Sequence, residues 1–261
     1  MAENPYQPLP SGNAPTAIPA DSGVPTDVGG TVSRAWALYM GDPVNLTLGV
    51  LGGTLLSAMP VIVASAMAYL AGHRPEHPQW QLYSAAASVL NLFWSPLIVA
   101  GLTRFLLTAA RGEEPQFYQL FSEGQRYGAF LGYTLVMSGP ATLIAATAGV
   151  LNAAGFLGYS LVFSVTQMGI GLILWIACAL GPITAQYYIV DRGLGAIEAL
   201  KASWNEAEPM RGHTFVVSLA MTVISAAGVL ACGVGVCASV PTAMVMVAIL
   251  YLQLRARQPS S

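Results

Sequence analysis

Formal charges fall in a few clusters along this chain, and the apolar stretches between them measure out membrane-spanning helices. No charge lies between Asp42 and Arg74, a run of 31 residues, or between Glu76 and Arg104, a run of 27. A helix rises about 1.5 Å per residue and needs about 20 residues to cross about 30 Å of hydrocarbon, so each run holds one span. The uncharged runs from Arg126 to Asp191 (64 residues) and from Arg211 to Arg255 (43 residues) hold two each. The pattern predicts six spans, at about 44–71, 83–108, 128–152, 160–189, 214–231 and 236–254. The last two are tight, joined by a turn that Cys232-Gly233-Val234-Gly235 can make. One span followed by a re-entrant loop is the competing reading there. The apolar run from Pro241 to Leu254, with its interfacial finish of Tyr251, Arg255 and Arg257, favours the hairpin.

Composition agrees with an all-α, polytopic helical membrane protein. Charged residues make up 8% of the chain and hydrophobic residues 55%, against about 25% charge in ordinary soluble domains. That is too little charge to cover a water-soluble enzyme. A net charge of −2 without any Lys/Arg run argues against nucleic acid as a partner. Three cysteines exclude a disulfide-built scaffold. Residues 1–30 are a different material: Pro5, Pro8, Pro10, Pro15, Pro19 and Pro25 alternate with small polar residues. Such a segment buries too little apolar surface to order itself, so a disordered cytoplasmic tail is expected before a membrane domain at 31–258. It has neither the basic nor the apolar region of a signal peptide. Pro5-Tyr6-Gln7-Pro8 has the spacing of a polyproline ligand, a match frequent in any such tail.

Six spans put both termini on one side, with Arg34, Arg104, Arg111, Arg126, Arg192, Lys201, Arg211, Arg255 and Arg257; the other side has only Arg74. Nine cations against one, close to span ends, predict that both termini are cytoplasmic. Arg104 lies seven residues inside Arg111 and can snorkel outward.

On that same side, three amphipathic segments precede pairs of spans. Thr31–Met40 carries Val32, Trp36, Tyr39 and Met40 on one face. The second starts at Pro115 with Phe117, Leu120 and Phe121. The third, Leu194–Ala207, carries Leu194, Ile197, Leu200 and Trp204 opposite Glu198, Lys201, Asn205 and Glu206. Spacings of three and four with polar residues opposite predict helices lying in the interface. Arg34, Trp36, Arg111, Arg192, Lys201 and Trp204 are the expected lipid contacts. The span ends also echo one another: Gly101, Pro182 and Pro241 each lie ten residues before Arg111, Arg192 and Tyr251. Units that start and finish on one side would be a parallel threefold repeat, though any chain of membrane hairpins shows some such echo.

The stretch Asp191-Arg-Gly-Leu-Gly-Ala-Ile-Glu-Ala-Leu-Lys-Ala-Ser-Trp204, followed by Gly212-His213, a Gly-rich turn, Pro241 and Tyr251, resembles the bacterial YciC-like integral membrane proteins. It equally resembles the related membrane domain of some glycerophosphodiester phosphodiesterases. The likeness is sharpest over about 180–255 and looser over 95–135, where Gly101-Leu102-Thr103 and Arg111-Gly112 fit the same style. It implies a six-span helical domain in the cell membrane, in a group largely without assigned chemistry. No soluble phosphodiesterase domain is expected after the sixth span, so that catalytic activity is not carried over.

Candidate chemistry is sparse. His73-Arg74-Pro75-Glu76-His77 spells the H-x-x-E-H of inverted zinc peptidases, but Pro75 and Pro78 break the helix it needs and the other His, His213, falls on the opposite side. A chance match is expected, with neither metal nor cofactor. Cys178 is a packing residue within a span; Cys232 and Cys237 flank an external turn, where either a disulfide or the need for small residues accounts for them. No span has an ionisable residue near its centre. Asn91, Asn152, Gln167 and Gln186 are the polar groups, and interhelical hydrogen bonds explain them as readily as a pathway does. Pro60, Pro96, Pro140, Pro182 and Pro241, with Gly49-x-x-x-Gly53 and Gly128-x-x-x-Gly132, predict kinked, closely packed helices. The expectation is a non-enzymatic membrane protein that engages lipids, a membrane protein partner or a second copy of itself. The alternative is a permease for an apolar or lipid-like solute using Asn91, Gln167 and Gln186.

Overall fold

The computed structural model describes residues 27–74, 77–154, 159–230 and 235–257, and the regular structure among them is entirely helical. In chain order the helices are α1 (Val28–Gly41), α2 (Pro43–Ser57), α3 (Met59–Leu70), α4 (Pro78–Ala110), α5 (Tyr127–Met137), α6 (Gly139–Ala153), α7 (Tyr159–Ala179), α8 (Ala185–Arg192), α9 (Ala196–Glu206), α10 (Arg211–Leu230) and α11 (Val236–Ala256). Short 3-10 turns cover Phe117–Phe121, Gly124–Arg126, Pro182–Thr184 and Glu208–Met210.

Local chemistry sets the helix ends. The Asp27 carboxylate accepts from the Gly30 N–H at 3.0 Å and starts α1, so the helix begins three residues before the expected boundary at 31 and takes in Gly29 and Gly30. Asp42 accepts from the Asn45 N–H at 3.2 Å with Pro43 behind it, which starts α2. Gly193, at φ +68, closes α8 in the left-handed conformation that a side chain would resist.

Among the described residues three helices are long and apolar enough to cross a membrane: Gln79–Ala110, Glu208–Leu230 and Val236–Ala256. Three further pairs reach that length only across a bend: α2 with α3 at 59°, Phe117–Met137 with Gly139–Leu151 at 63°, and Gly171–Ala179 with Pro182–Arg192 at 81°. The spans expected at 44–71, 128–152 and 160–189 are therefore each bent, as the prolines predict, and each break has a proline in the first residues after it: Pro60, Pro140 and Pro182. Proline lacks the N–H that would bond the carbonyl four residues earlier. For Pro60 that carbonyl is Leu56, and the Trp94 indole of α4 donates to it at 2.7 Å. Pro241 does not break α11; its orphaned carbonyl, Cys237, accepts from the Thr47 hydroxyl of α2 at 3.0 Å and from Tyr39 at 3.4 Å. Side chains of neighbouring helices thus satisfy what Pro60 and Pro241 release, a necessity away from water.

The core is built around α11, buried almost without interruption from Ser239 to Leu254, with α1, α2, α4 and α10 packed against it. Such all-round apolar burial marks a central helix. Glycines allow the closest approaches. A methyl group on Gly49 would overlap the ring of fully buried Phe105, and one on Gly53 would lie 3.2 Å from Leu102. Gly49-x-x-x-Gly53 therefore seats α2 on α4, whereas of Gly128 and Gly132 only Gly132 meets a neighbour, Ala196 at 3.0 Å.

Candidate functional site: an arginine belt at one end of the bundle

The polar chemistry of the molecule gathers where α4, α8 and α11 end. Asp191, in the last turn of α8, accepts from Arg111 at 2.5 Å, from the Tyr251 hydroxyl at 2.6 Å and from Arg255. Its carboxylate is only 9% exposed, so three helix ends share one nearly dry anion. Burying that charge is costly, and three charge-assisted or hydroxyl donors offset the cost. The Tyr251 ring stacks on Tyr187 at 5.6 Å and meets Tyr188 edge-on at 4.9 Å, so an aromatic floor lies beneath the ion pairs.

Two further carboxylates extend the belt. Glu123 pairs with Arg126 at 3.2 Å and with Arg104 at 3.4 Å. Arg126 also donates to the Ile189 carbonyl at 2.8 Å, which ties the 117–126 segment to α8. Glu206 of α9 holds Arg192 at 2.9 Å and accepts from the Tyr188 hydroxyl, while the Arg192 guanidinium lies 5.1 Å over the Tyr188 ring. Five arginines thus face three carboxylates, and each arginine side chain is roughly a quarter to a half exposed.

The large apolar side chains around this end point away from the protein. On α9 the buried side is Ala199 and Ser203, continued by Ala207. The Ser203 hydroxyl donates to the Gly181 carbonyl at 2.6 Å, and the Thr184 hydroxyl lies 2.8 Å from it. Ile197 and Trp204, on the apolar face expected to lie in the interface, stand outward at 52% and 39% exposure; only small residues let α9 approach the Gly181 break closely. The segment after Pro115 is a 3-10 turn rather than an interfacial α-helix. Its Leu120 backbone rests on Gly101, where a methyl group would overlap the Leu120 carbonyl, while Phe117, Tyr118 and Phe121 stay exposed. Along α1 the buried side is Thr31, Ala35 and Tyr39; Trp36 and Met40 face out, with Trp36 5.6 Å from the Tyr39 ring. A buried relay fastens α1 to the core: His213 to Gln253 at 3.1 Å, and Gln253 to Thr31 at 2.7 Å.

Of the residues expected from sequence, Arg111 and Arg192 meet at the two ends of this belt through Asp191 and Glu206. Trp204 packs against Gly181 and carries the Arg211 guanidinium 4.5 Å above its ring. Lys201 is exposed on α9, and Arg34 is half-buried on α1. Asn91 and Gln186 are half-buried on α4 and α8, and the Asn91 Oδ1 is enclosed without a hydrogen-bond partner. The Gln167 and Asn152 side chains lie outside the described residues, as do the tail up to residue 26, Glu76 and Cys232. The His77 Nδ1 accepts from the Gln79 N–H at 3.3 Å and starts α4, with the His73 ring stacked 4.9 Å away. Among the described residues no three His, Cys, Asp or Glu side chains gather as metal ligands would.

Sequence reasoning missed Asp191, Glu123 and Glu206 as organisers. One signal was present: two of the ten-residue echo positions, Arg111 and Tyr251, both meet Asp191, and the third, Arg192, follows it directly. No family model matches the chain, and no curated protein or solved structure matches it either.

Proposed function

We propose that this chain is a non-enzymatic integral membrane protein whose arginine-rich end engages lipid headgroups or the membrane-proximal surface of a protein partner. One observation carries the reading. The partly exposed arginines of the belt lie at the same end of the bundle as outward-facing Phe117, Tyr118, Phe121, Ile197 and Trp204, the mixture of charge and amphipathic rings that suits the headgroup level. In this reading the bent pairs each count as one span, giving six; the belt lies on the cytoplasmic side of a bacterial inner membrane, and both termini share that side. Arg34, Trp36, Arg111, Arg192, Lys201 and Trp204 lie at or near the interface. The likeness of residues 191–204 to YciC-like proteins supports the same architecture.

Purification of the full chain in mild detergent, followed by native mass spectrometry, tests the reading. Retained phospholipid or a stoichiometric partner is the expected result; a bare chain would overturn it. A cysteine at Ser122 should be shielded from membrane-impermeant reagents applied outside the cell, and external labelling would reverse the orientation.

A permease for an apolar or lipid-like solute is the second reading. The three bends and the unpartnered Asn91 Oδ1 favour it, because broken helices and polar groups within spans are how transporters build substrate sites. Its mark would be uptake lost on Asn91→Leu or Gln186→Leu with lipid retention unchanged.

A further inference from the structure

Arg104 stands apart from the rest of the belt. It is the most exposed of the paired arginines, it sits six residues inside the end of α4, and its only ion-pair partner in the described structure is Glu123 at 3.4 Å. Glu123 is shared with Arg126, so two guanidiniums converge on one carboxylate and a positive charge is left over. Each guanidinium offers five N–H donors, more than Glu123 and the Ile189 carbonyl engage. Below Arg104 on the same face of α4 run Leu97, Phe93 and Leu90, at spacings of seven, four and three. Phe93 and Leu90 are half or more exposed, and Leu97 is partly so. Tyr127 of α5 lies against this stripe, its hydroxyl donating to the Phe93 carbonyl at 2.8 Å. Between Leu97 and Arg104 the face is covered, with Ala100 fully buried and Leu120 seated on Gly101, so the open part of the stripe runs about 10 Å from Leu97 to Leu90, within the roughly 15 Å hydrocarbon depth of one leaflet.

We propose that Arg104 and Arg126, drawn together by Glu123 at the head of the Leu90–Phe93–Leu97 stripe, hold the phosphate of an anionic phospholipid whose acyl chain lies along that stripe. The inference rests on the lipid-engaging reading above and deepens it to one site and one lipid class. The cation pair supplies the charge complement and geometry for a phosphodiester, and the stripe supplies the complement of the chain. Glu123 is a built-in competitor for the same donors, which separates a binding role from a structural one.

Native mass spectrometry of the full chain titrated with phosphatidylglycerol, or with phosphatidylcholine of the same acyl chains, decides the matter. The wild type should prefer the anionic lipid by roughly fivefold, the effect of one surplus charge. Arg104→Gln should weaken phosphatidylglycerol binding roughly tenfold, the loss of a charge-assisted hydrogen bond. Arg257→Gln, which removes an exposed cation away from the stripe, should cost at most about fivefold. Glu123→Gln, nearly unchanged in volume, should tighten binding, whereas loss of a merely structural bridge would loosen it. Equal losses in Arg104→Gln and Arg257→Gln, or weaker binding in Glu123→Gln, would overturn this site while leaving general lipid engagement intact. Displacement of the lipid by millimolar inorganic phosphate would overturn the commitment to a lipid, and failure of the wild type to hold either lipid would overturn the lipid half of the broader reading as well.

Discussion

The two ends of this bundle are held together by different means. At the arginine end, α8 from Tyr187 to Val190 and α11 from Val245 to Leu254 are buried without a gap, and ion pairs join helix ends far apart in sequence. Beyond the bends, α3 buries only Ala68 and leaves Val61, Ile62, Val63, Met67 and Leu70 exposed; Met168, Leu172 and Ile173 of α7 are exposed likewise. The arginine end is cohesive as a protein. The other end presents apolar surface that water would penalise by about 25 cal/mol per Å² and that hydrocarbon accepts. In the lipid-engaging reading, one half specifies the fold and the other depends on the bilayer.

Substitutions placed at the two ends break or sharpen that contrast. The largest effect is expected at Gly101→Val, whose side chain would collide with Leu120 backbone that has no rotamer to retreat into. A loss of about 3 kcal/mol or more is expected, read as premature thermal unfolding in detergent. Gly171→Val, with open space around it in α7, should cost less than about 1 kcal/mol. A similar penalty for both would erase the distinction between the ends.

Next is Asp191→Ala, which strands Arg111, Arg255 and the Tyr251 hydroxyl at once. About 2 to 3 kcal/mol is expected, since the arginines left behind are a quarter to a third exposed and water compensates part of the loss. Thermal melts of Asp191→Ala beside Arg111→Ala would check it, and additive losses would show that the node is not one unit.

Removing a donor from a proline-released carbonyl should cost less. Trp94→Phe leaves the Leu56 carbonyl unpaired at the α2–α3 break, and Thr47→Val removes the hydroxyl on the Cys237 carbonyl. Each should lower stability by about 1 to 3 kcal/mol. A neutral result for either would mean that the bend persists without its cross-helix donor.

The smallest effect on the fold is expected on the outer face of α9. Trp204→Ala should cost about 1 kcal/mol in detergent, since much of the ring is already exposed. Spin labels at Ile197 and Trp204 should be reached by a lipid-soluble relaxant, and labels at Glu198, Lys201 and Asn205 by a water-soluble one. Water access at all five positions would remove α9 from the interface.

Charge spacing alone was enough to read an all-helical chain with helices of membrane-crossing length, because a bilayer forbids formal charge over about 20 residues wherever a helix crosses it. It also marked the prolines near which three of those helices bend, since a missing N–H is a local property. The direction of the amphipathic faces was not legible. Periodicity places large apolar residues on one side of α9 and leaves open whether that side meets protein or lipid. The tertiary structure turns Ala199 and Ser203 inward, because only small side chains allow α9 to close on the Gly181 break. Nor could spacing pair Asp191 with Arg111 and Arg255, which lie 80 and 64 residues away. One carboxylate among many cations has many candidate partners along a chain, and the choice is made only when α4, α8 and α11 bring their ends to the same place.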